Sequence, residues 1–155
     1  MAFTPLRRRF TFARMDIRRL TPAYAVTPQI EPTDVPDIAA AGFKTVICNR
    51  PNEEIPVELQ AEVLRIAVEA AGMTFIDNPL VHGQMTMENI QVQADAQSET
   101  DGPVLAYCAS GTRSSICWSL SQAGKMPTEE ITKATSDAGY DLRGLAPQID
   151  AFGSR

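Results

Sequence analysis

Three short apolar runs, each followed by a stretch with helical spacing, constrain the fold of this chain more than any other feature. The runs are rich in β-branched or aromatic residues, which favour strands, and turn residues separate them from the helical stretches. They occupy residues 44–49, 74–78 and 103–107. Strands that alternate with helices predict an α/β fold with a mostly parallel central sheet covered by helices on both faces. We therefore expect a three-layer α/β/α architecture.

The pattern extends on either side of this alternation. Two short edge strands are expected around Thr21 and Pro22, and a short helix after them ends at Gly42. Further helices are predicted over residues 57–71, 86–98, 114–123, 128–138 and 145–152. Glu130 is positioned for a capping box at the start of the helix over 128–138.

Length and composition are ordinary for one soluble globular domain. The chain has 155 residues, of which 44% are hydrophobic and 21% charged. Residues 1–14 carry four arginines and no acidic residue. We expect them to form a disordered basic extension, or an extension upstream of a natural start at Met15, with residues 15–155 forming a single domain. An arginine-rich, acid-free start is also typical of an organellar transit peptide, and that alternative stays open.

Charge and cysteine content limit the classes of function. A formal net charge of −5 disfavours electrostatic binding of nucleic acid across the surface of the domain. No apolar run approaches the roughly 20 residues of a membrane span, so no membrane partner is expected. A single histidine excludes a His-rich metal site, and we expect neither a metal nor a cofactor. Three cysteines, an odd and sparse count, indicate a reducing compartment, so we expect a cytoplasmic protein.

Residues 104–115 carry the chemistry, because they join a buried strand to a helix through a loop of small residues. Cys108 lies at the mouth of this loop, where the helix N-terminus favours the thiolate, the nucleophilic form. Gly111 supplies the backbone freedom of a tight turn, and Arg113 offers a planar fork of donors for phosphate, sulfate or thiosulfate. The backbone N–H groups that converge on the bound anion are those of Ala109, Ser110, Gly111, Thr112 and Arg113.

The strand followed by Cys-x-x-Gly-x-Arg-Ser resembles the active-site loops of rhodaneses and cysteine phosphatases. The wider chain resembles a bacterial family, the phosphatase-like domain of beta-lactamase hydrolase-like proteins, whose members are also labelled sulfur transferases. Residues 46–51, 83–86 and 103–114 carry the resemblance, in that order. It implies a cysteine-phosphatase-like or rhodanese-like fold with Cys108 as nucleophile. Family members also occur fused to a metallo-β-lactamase-type persulfide dioxygenase, which implies such an enzyme, or a partner thiol protein, as a partner.

The loop length bears on the choice between sulfur and phosphate. Four residues separate Cys108 from Arg113, whereas protein tyrosine phosphatases use five. The shorter loop has one fewer amide, which suits a single persulfide sulfur better than three phosphoryl oxygens. Phosphate-ester cleavage also needs a general acid, for which His82 is the candidate near neutral pH. We therefore expect a sulfurtransferase that moves sulfane sulfur from thiosulfate or a persulfide to a thiophilic acceptor through a Cys108 persulfide.

Two other functions stay open. One is a dual-specificity-like phosphatase that works through a Cys108 phosphocysteine. The other is a non-catalytic module that binds an anion or a partner protein. In each enzymatic case the expected substrate is a small anionic sulfur or phosphate compound.

Accessory roles are assigned to residues near the loop. Ser114 follows Arg113 and could hydrogen-bond the thiolate. Cys48 ends a neighbouring strand and, like Cys117, could resolve an oxidised Cys108 as a disulfide. Arg50 either adds positive charge to the cleft or forms a salt bridge with one of the two glutamates that follow it.

Overall fold

Five strands form one sheet in the computed structural model, which describes residues 15–155. The basic extension expected at residues 1–14 lies outside the described residues. Each strand has four residues, and the predicted runs coincide with three of them. The strands are β1 (Arg18–Thr21), β2 (Tyr24–Thr27), β3 (Thr45–Cys48), β4 (Thr74–Asp77) and β5 (Val104–Tyr107).

Helices connect and follow these strands, which confirms the predicted α/β fold class. They are α1 (Val35–Ala40), α2 (Ala61–Ala70), α3 (Met87–Glu99), α4 (Thr112–Ser121), α5 (Thr128–Asp137) and α6 (Ala146–Gly153). Single 3-10 turns lie at Pro32–Asp34, Asn52–Glu54, Val57–Leu59 and Arg143–Leu145. None of the helices in this part of the chain has the length and apolar character that crossing a bilayer requires.

Two local predictions are wrong, and each has a physical reason. The helix predicted over 57–71 is divided into a 3-10 turn and the regular helix α2, because Gln60 between them is extended, with ψ of 166°. The capping box with Glu130 does not form, because Pro127 occupies the N-cap position of α5 and has no side-chain acceptor. Both errors concern helix starts, where the spacing of apolar residues carries least information.

The strand order is β1-β2-β5-β3-β4. Only the β1–β2 pair is antiparallel, and the remaining pairs are parallel. The prediction of two edge strands is correct for β1 and wrong for β2, which pairs with both β1 and β5. All four residues of β2 are buried, as an interior strand requires.

Helices cover both faces of the sheet. On one face, Val46 and Leu105 pack in a cluster with residues of α1 and α2, including Leu64. On the other face, Ile47 and Ala106 pack in a second cluster, to which the four remaining helices contribute Ala96, Trp118, Ile131 and Ile149. The sheet is therefore the middle of three layers, as predicted.

Parallel pairing brings three loops to one edge of the sheet. Cys48 at the end of β3 is in register with Asp77 of β4 and with Tyr107 of β5. The segments that follow these strands begin with Asn49, Asn78 and Cys108, so they meet at the carboxyl edge. Binding sites of open α/β sheets lie at this edge.

Candidate active site

The loop between β5 and α4 folds around the sulfur of Cys108. The thiol is buried, and the Gly111 N–H donates a hydrogen bond to its Sγ at 3.1 Å. Gly111 has φ of 96°, a left-handed conformation that a residue with a Cβ adopts only under strain. This glycine is also the N-cap of α4, whose N-terminus directs partial positive charge toward the loop. The arrangement stabilises negative charge at the base of the loop.

The rim of the loop is open to solvent. Ala109, Ser110 and Thr112 are exposed, whereas Cys108 and Gly111 below them are buried. The Ser110 hydroxyl donates to Thr112 Oγ1 at 3.0 Å, which ties the two sides of the rim together. Residues 109–113, the predicted anion-binding residues, therefore form one loop with a polar rim above Cys108, and their binding of an anion stays a prediction.

Arg113 is held by a carboxylate that the sequence analysis did not assign to it. Its two terminal nitrogens donate to both oxygens of Glu54, at 2.7 and 2.8 Å, and Nη1 also donates to the Leu80 carbonyl at 2.8 Å. This hydrogen bond from Arg113 lowers the pKa of the Glu54 carboxyl, and it raises the pKa of the guanidinium. Glu54 lies in the loop after β3, and β3 is the neighbour of β5. Loops that follow neighbouring parallel strands meet at the same edge of the sheet, and this placement was a signal that Glu54 could pair with Arg113.

Arg50 forms a salt bridge with Glu54, which was one of the two roles expected for it. Its Nε lies 3.5 Å from Glu54 Oε1, its Nη2 donates to the Glu54 carbonyl, and its Nη1 donates to Gln29 Oε1 at 3.3 Å. Arg50 thus acts on the site through Glu54, which it shares with Arg113.

The Ser114 hydroxyl belongs to a hydrogen-bonded network with three asparagine side chains. Asn49 Nδ2 donates to Ser114 Oγ at 2.9 Å, and Asn78 Nδ2 donates to Asn49 Oδ1 at 3.1 Å. Asn89 Nδ2 in turn donates to Asn78 Oδ1 at 2.8 Å. Because Ser114 accepts from Asn49, its own hydroxyl proton is left for another acceptor. Its predicted contact with the Cys108 thiolate stays a prediction.

Tyr140 reaches the loop from the segment after α5, and the sequence analysis missed it. Its hydroxyl donates to the Ser110 carbonyl at 3.0 Å. Nothing in the local sequence around Tyr140 indicates this contact, because the two residues are 30 positions apart.

The other two cysteines are free and buried. Burial raises the pKa of Cys48, whose thiol lies 3.5 Å from the Arg50 carbonyl on the sheet face covered by α1 and α2. Burial raises the pKa of Cys117 to about 12, and its thiol lies 3.6 Å from the Asn89 carbonyl. High thiol pKa values make both poor nucleophiles. Their predicted part in a disulfide with Cys108 stays a prediction.

His82 lies in the loop after β4 and is exposed. His82 lies two residues after Leu80, and the Leu80 carbonyl accepts a hydrogen bond from Arg113. The loop that carries His82 is therefore attached to the site, and the role of His82 as an acid stays a prediction. Within residues 15–155 no three histidine, cysteine, aspartate or glutamate side chains are grouped as a metal site.

Residues 16–125 match the family model described as beta-lactamase hydrolase-like protein, phosphatase-like domain. A beta-lactamase hydrolase-like protein of Xylella fastidiosa (strain Temecula1) is 28% identical over 130 residues, which are 83% of this chain and 30% of that protein. One of Agrobacterium fabrum (strain C58) is 32% identical over 111 residues, 70% of this chain and 26% of that protein. The chain thus spans less than a third of the curated relatives it matches.

Solved structures agree with this assignment. A Neisseria meningitidis Z2491 protein, provisionally described as a phosphatase, is 31% identical with a TM-score of 0.77, over 89% of this chain and 99% of that one. Pseudomonas aeruginosa TpbA in complex with phosphotyrosine is 17% identical with a TM-score of 0.54, over 86% of this chain and 90% of that one. At that identity the likeness concerns the fold alone. The chain has the fold of the cysteine phosphatases and belongs to the beta-lactamase hydrolase-like protein, phosphatase-like domain family.

Proposed function

We propose that this protein is a cysteine-dependent phosphatase in which Cys108 attacks the phosphorus of a small phosphate monoester. One observation carries the proposal: Cys108 lies at the base of a loop that directs an N–H at its sulfur, with Arg113 fixed beside it by Glu54. The 31% identity to the Neisseria protein supports phosphate, rather than sulfur, as the transferred group.

The chain's own residues supply three functions in this reaction. The loop N–H groups bind the oxygens of the phosphoryl group, whose charge grows in the transition state. Arg113 uses three of its N–H groups on Glu54 and Leu80, and its remaining N–H groups are available to the phosphate. His82 is proposed as the acid that protonates the leaving oxygen.

The steps balance as two displacements at phosphorus. The Cys108 thiolate forms a sulfur–phosphorus bond as the phosphorus–oxygen bond to the alcohol breaks, and the alcohol oxygen takes a proton from His82. The oxygen of a water molecule then attacks the phosphocysteine and the water returns a proton to His82. The sulfur–phosphorus bond breaks, which releases inorganic phosphate and restores the Cys108 thiolate. The second step needs no co-reactant other than water.

Sulfur transfer is the second candidate, and the spacing within the loop favours it. Four residues between Cys108 and Arg113 make a tighter loop than the phosphatase pattern of five. In this reaction the thiolate attacks the outer sulfur of thiosulfate, sulfite leaves, and Cys108 carries a persulfide. The outer sulfur of that persulfide then passes to cyanide or to a thiolate, which restores the Cys108 thiolate. A partner thiol protein or a persulfide dioxygenase is the partner proposed for this case.

Two assays run side by side separate these functions. Wild type and Cys108→Ser are tested for hydrolysis of an aryl phosphate and for transfer of sulfur from thiosulfate to cyanide, with Cys117→Ala as the matched cysteine control. We expect aryl phosphate hydrolysis that falls by about 10³-fold or more in Cys108→Ser and persists in Cys117→Ala.

Each other outcome has a defined meaning. Sulfur transfer without hydrolysis supports the second candidate and overturns the first. Silence of the wild type in both assays indicates the non-catalytic anion-binding module. Activity retained in Cys108→Ser overturns both enzymatic proposals.

A further inference from the structure

The peptide group between Ser110 and Gly111 is held at both ends. Its carbonyl oxygen accepts a hydrogen bond from the Tyr140 hydroxyl at 3.0 Å. Its N–H donates to Cys108 Sγ at 3.1 Å. In a trans peptide the C=O and N–H bonds point in opposite directions, and the described residues contain no cis peptide. Fixing the oxygen outward therefore directs the N–H inward, at the sulfur.

Tyr140 is itself fixed in place. Its side chain is buried at 9% exposure, and its backbone N–H donates to the Thr135 carbonyl at 2.8 Å. The Arg18 guanidinium lies over the phenol ring, 5.3 Å from its centroid, and donates to the Ala138 carbonyl at 2.9 Å. The phenol also packs directly on Gly111, where a Cβ would overlap the hydroxyl oxygen. The hydroxyl is thus rigidly presented to the loop.

We propose that Tyr140 is a positioning residue of the Cys108 site: its hydroxyl holds the Ser110–Gly111 peptide so that the Gly111 N–H faces the sulfur. The inference rests on the proposed function only in taking Cys108 as the nucleophile, and it holds for phosphate and sulfur chemistry alike. Tyr140 lies beyond residue 125, where the family match ends. The C-terminal segment of this chain therefore completes the catalytic loop.

Glycine makes the loop dependent on this contact. Gly111 adopts positive and negative φ with nearly equal ease, so the peptide before it can rotate. Removing the Tyr140 hydroxyl leaves the carbonyl of Ser110 without this donor and allows the N–H to turn away from Cys108. A hydrogen bond at the carbonyl also polarises the peptide and strengthens the N–H as a donor.

The phenol acts as a hydrogen-bond donor and does not ionise in this role. Burial raises the pKa of Tyr140, so the hydroxyl keeps its proton at neutral pH. The charged and titratable groups that face the phenol are Arg18, Asp16 and Cys108. Arg18 and Asp16 pair with each other, at 2.7 Å. A pH effect on Cys108 that depends on this hydroxyl is therefore separable from titration of the phenol itself.

The experiment compares Tyr140→Phe with the wild type by alkylation of Cys108. Iodoacetamide is added at a series of pH values, and mass spectrometry of the Cys108 peptide gives the rate at this thiol alone. We expect the alkylation profile of Tyr140→Phe to move to higher pH, with a rate at neutral pH about three- to tenfold lower. On the substrate that the two enzyme assays identify, we expect kcat to fall by a similar factor while KM changes less.

Thr132→Val is the matched control. Thr132 is a buried residue of α5 whose hydroxyl donates within that helix, to the Thr128 carbonyl at 3.2 Å. Its removal should leave the Cys108 alkylation profile unchanged. Incorporation of 3-fluorotyrosine at position 140, which keeps the shape and strengthens the donor, should move the profile to lower pH.

The inference is overturned if the Tyr140→Phe profile coincides with the wild type, or if Thr132→Val shifts it equally. A fluorotyrosine protein with an unchanged profile would overturn it as well, and this holds even if Tyr140→Phe unfolds. Alkylation requires no turnover. A wild type that is silent in both enzyme assays would therefore refute the proposed function and leave this test intact.

Discussion

Glu54 neutralises Arg113 before any ligand binds. Both carboxylate oxygens accept from the guanidinium, and a bidentate pair fixes the plane of the donor fork. The hydrogen bond from Arg113 lowers the pKa of Glu54 below its usual 4.5. The stability that the pair adds is therefore present above the unfolded pKa and is lost as pH falls through the lower folded value. At neutral pH the orientation of Arg113 is constant.

Replacing Glu54 by glutamine tests whether Glu54 acts by orienting the Arg113 guanidinium or by its negative charge. Glu54→Gln removes one negative charge from the pocket. The glutamine side chain has only one oxygen, so it can no longer accept hydrogen bonds from both terminal nitrogens of Arg113. We expect kcat on the aryl phosphate to fall about tenfold, because Arg113 loses its fixed plane, while inorganic phosphate binds as tightly or more tightly. Steady-state kinetics and isothermal titration with phosphate measure the two effects.

The neighbouring Glu53→Gln is the control, because Glu53 is exposed in the same 3-10 turn. It changes the net charge by the same amount. An unchanged kcat in Glu54→Gln, or an equal loss in Glu53→Gln, contradicts the orienting role of Glu54.

At the scale of the elements, a chain of amides joins four segments at the carboxyl edge of the sheet. Asn49 follows β3, Asn78 follows β4, Asn89 lies in α3 and Ser114 lies in α4. Asn49 and Asn78 are almost fully buried, so their amide groups must be paired within the protein. This hydrogen-bond network fixes the start of α4, and with it the loop that precedes the helix.

Asn49→Ala should therefore lower the stability of the fold. It removes two hydrogen bonds and leaves Ser114 and Asn78 with unpaired polar groups in the interior. We expect the free energy of unfolding to fall by about 2–4 kcal/mol, measured by urea denaturation. Gln91→Ala, which removes an exposed hydrogen bond to Asp95 on α3, should cost under about 0.5 kcal/mol. A similar small loss in Asn49→Ala would show that the chain does not stabilise the edge.

The order of strands and helices was predictable, because it depends on patterns within a few residues. The Cys108 loop was predictable for the same reason, because Cys108, Gly111 and Arg113 lie within one short segment of the sequence. The carboxylate on Arg113 is 59 positions away from it, and the phenol on Ser110 is 30 positions away. Such pairs follow from the strand order, which also places β2 inside the sheet and which local spacing does not encode.

At the scale of the whole molecule, the last two helices belong to the main core. Ile131 of α5 and Ile149 of α6 are buried in the cluster that contains Ile47 and Ala106 of the sheet. Tyr140, between these helices, belongs to the same cluster. The part of the chain after the family match therefore packs on the sheet and also contacts the Cys108 loop.

The pairing of Arg113 with Glu54 has a consequence for how an anion finds the site. The molecule carries a formal net charge of −5, and its pocket arginine is already compensated by a carboxylate. For the phosphate dianion of the proposed function, we expect the negative net charge to oppose long-range attraction, so that repulsion from the acidic body governs the encounter. Raising ionic strength from about 0.01 to 0.15 M shortens the Debye length from about 30 to 8 Å. The expected result is a kcat/KM that rises or stays level with added salt, measured on the aryl phosphate, whereas a steep fall would reveal electrostatic steering. Under the proposed function, substrate binding would then depend on short-range contacts with the loop N–H groups and Arg113.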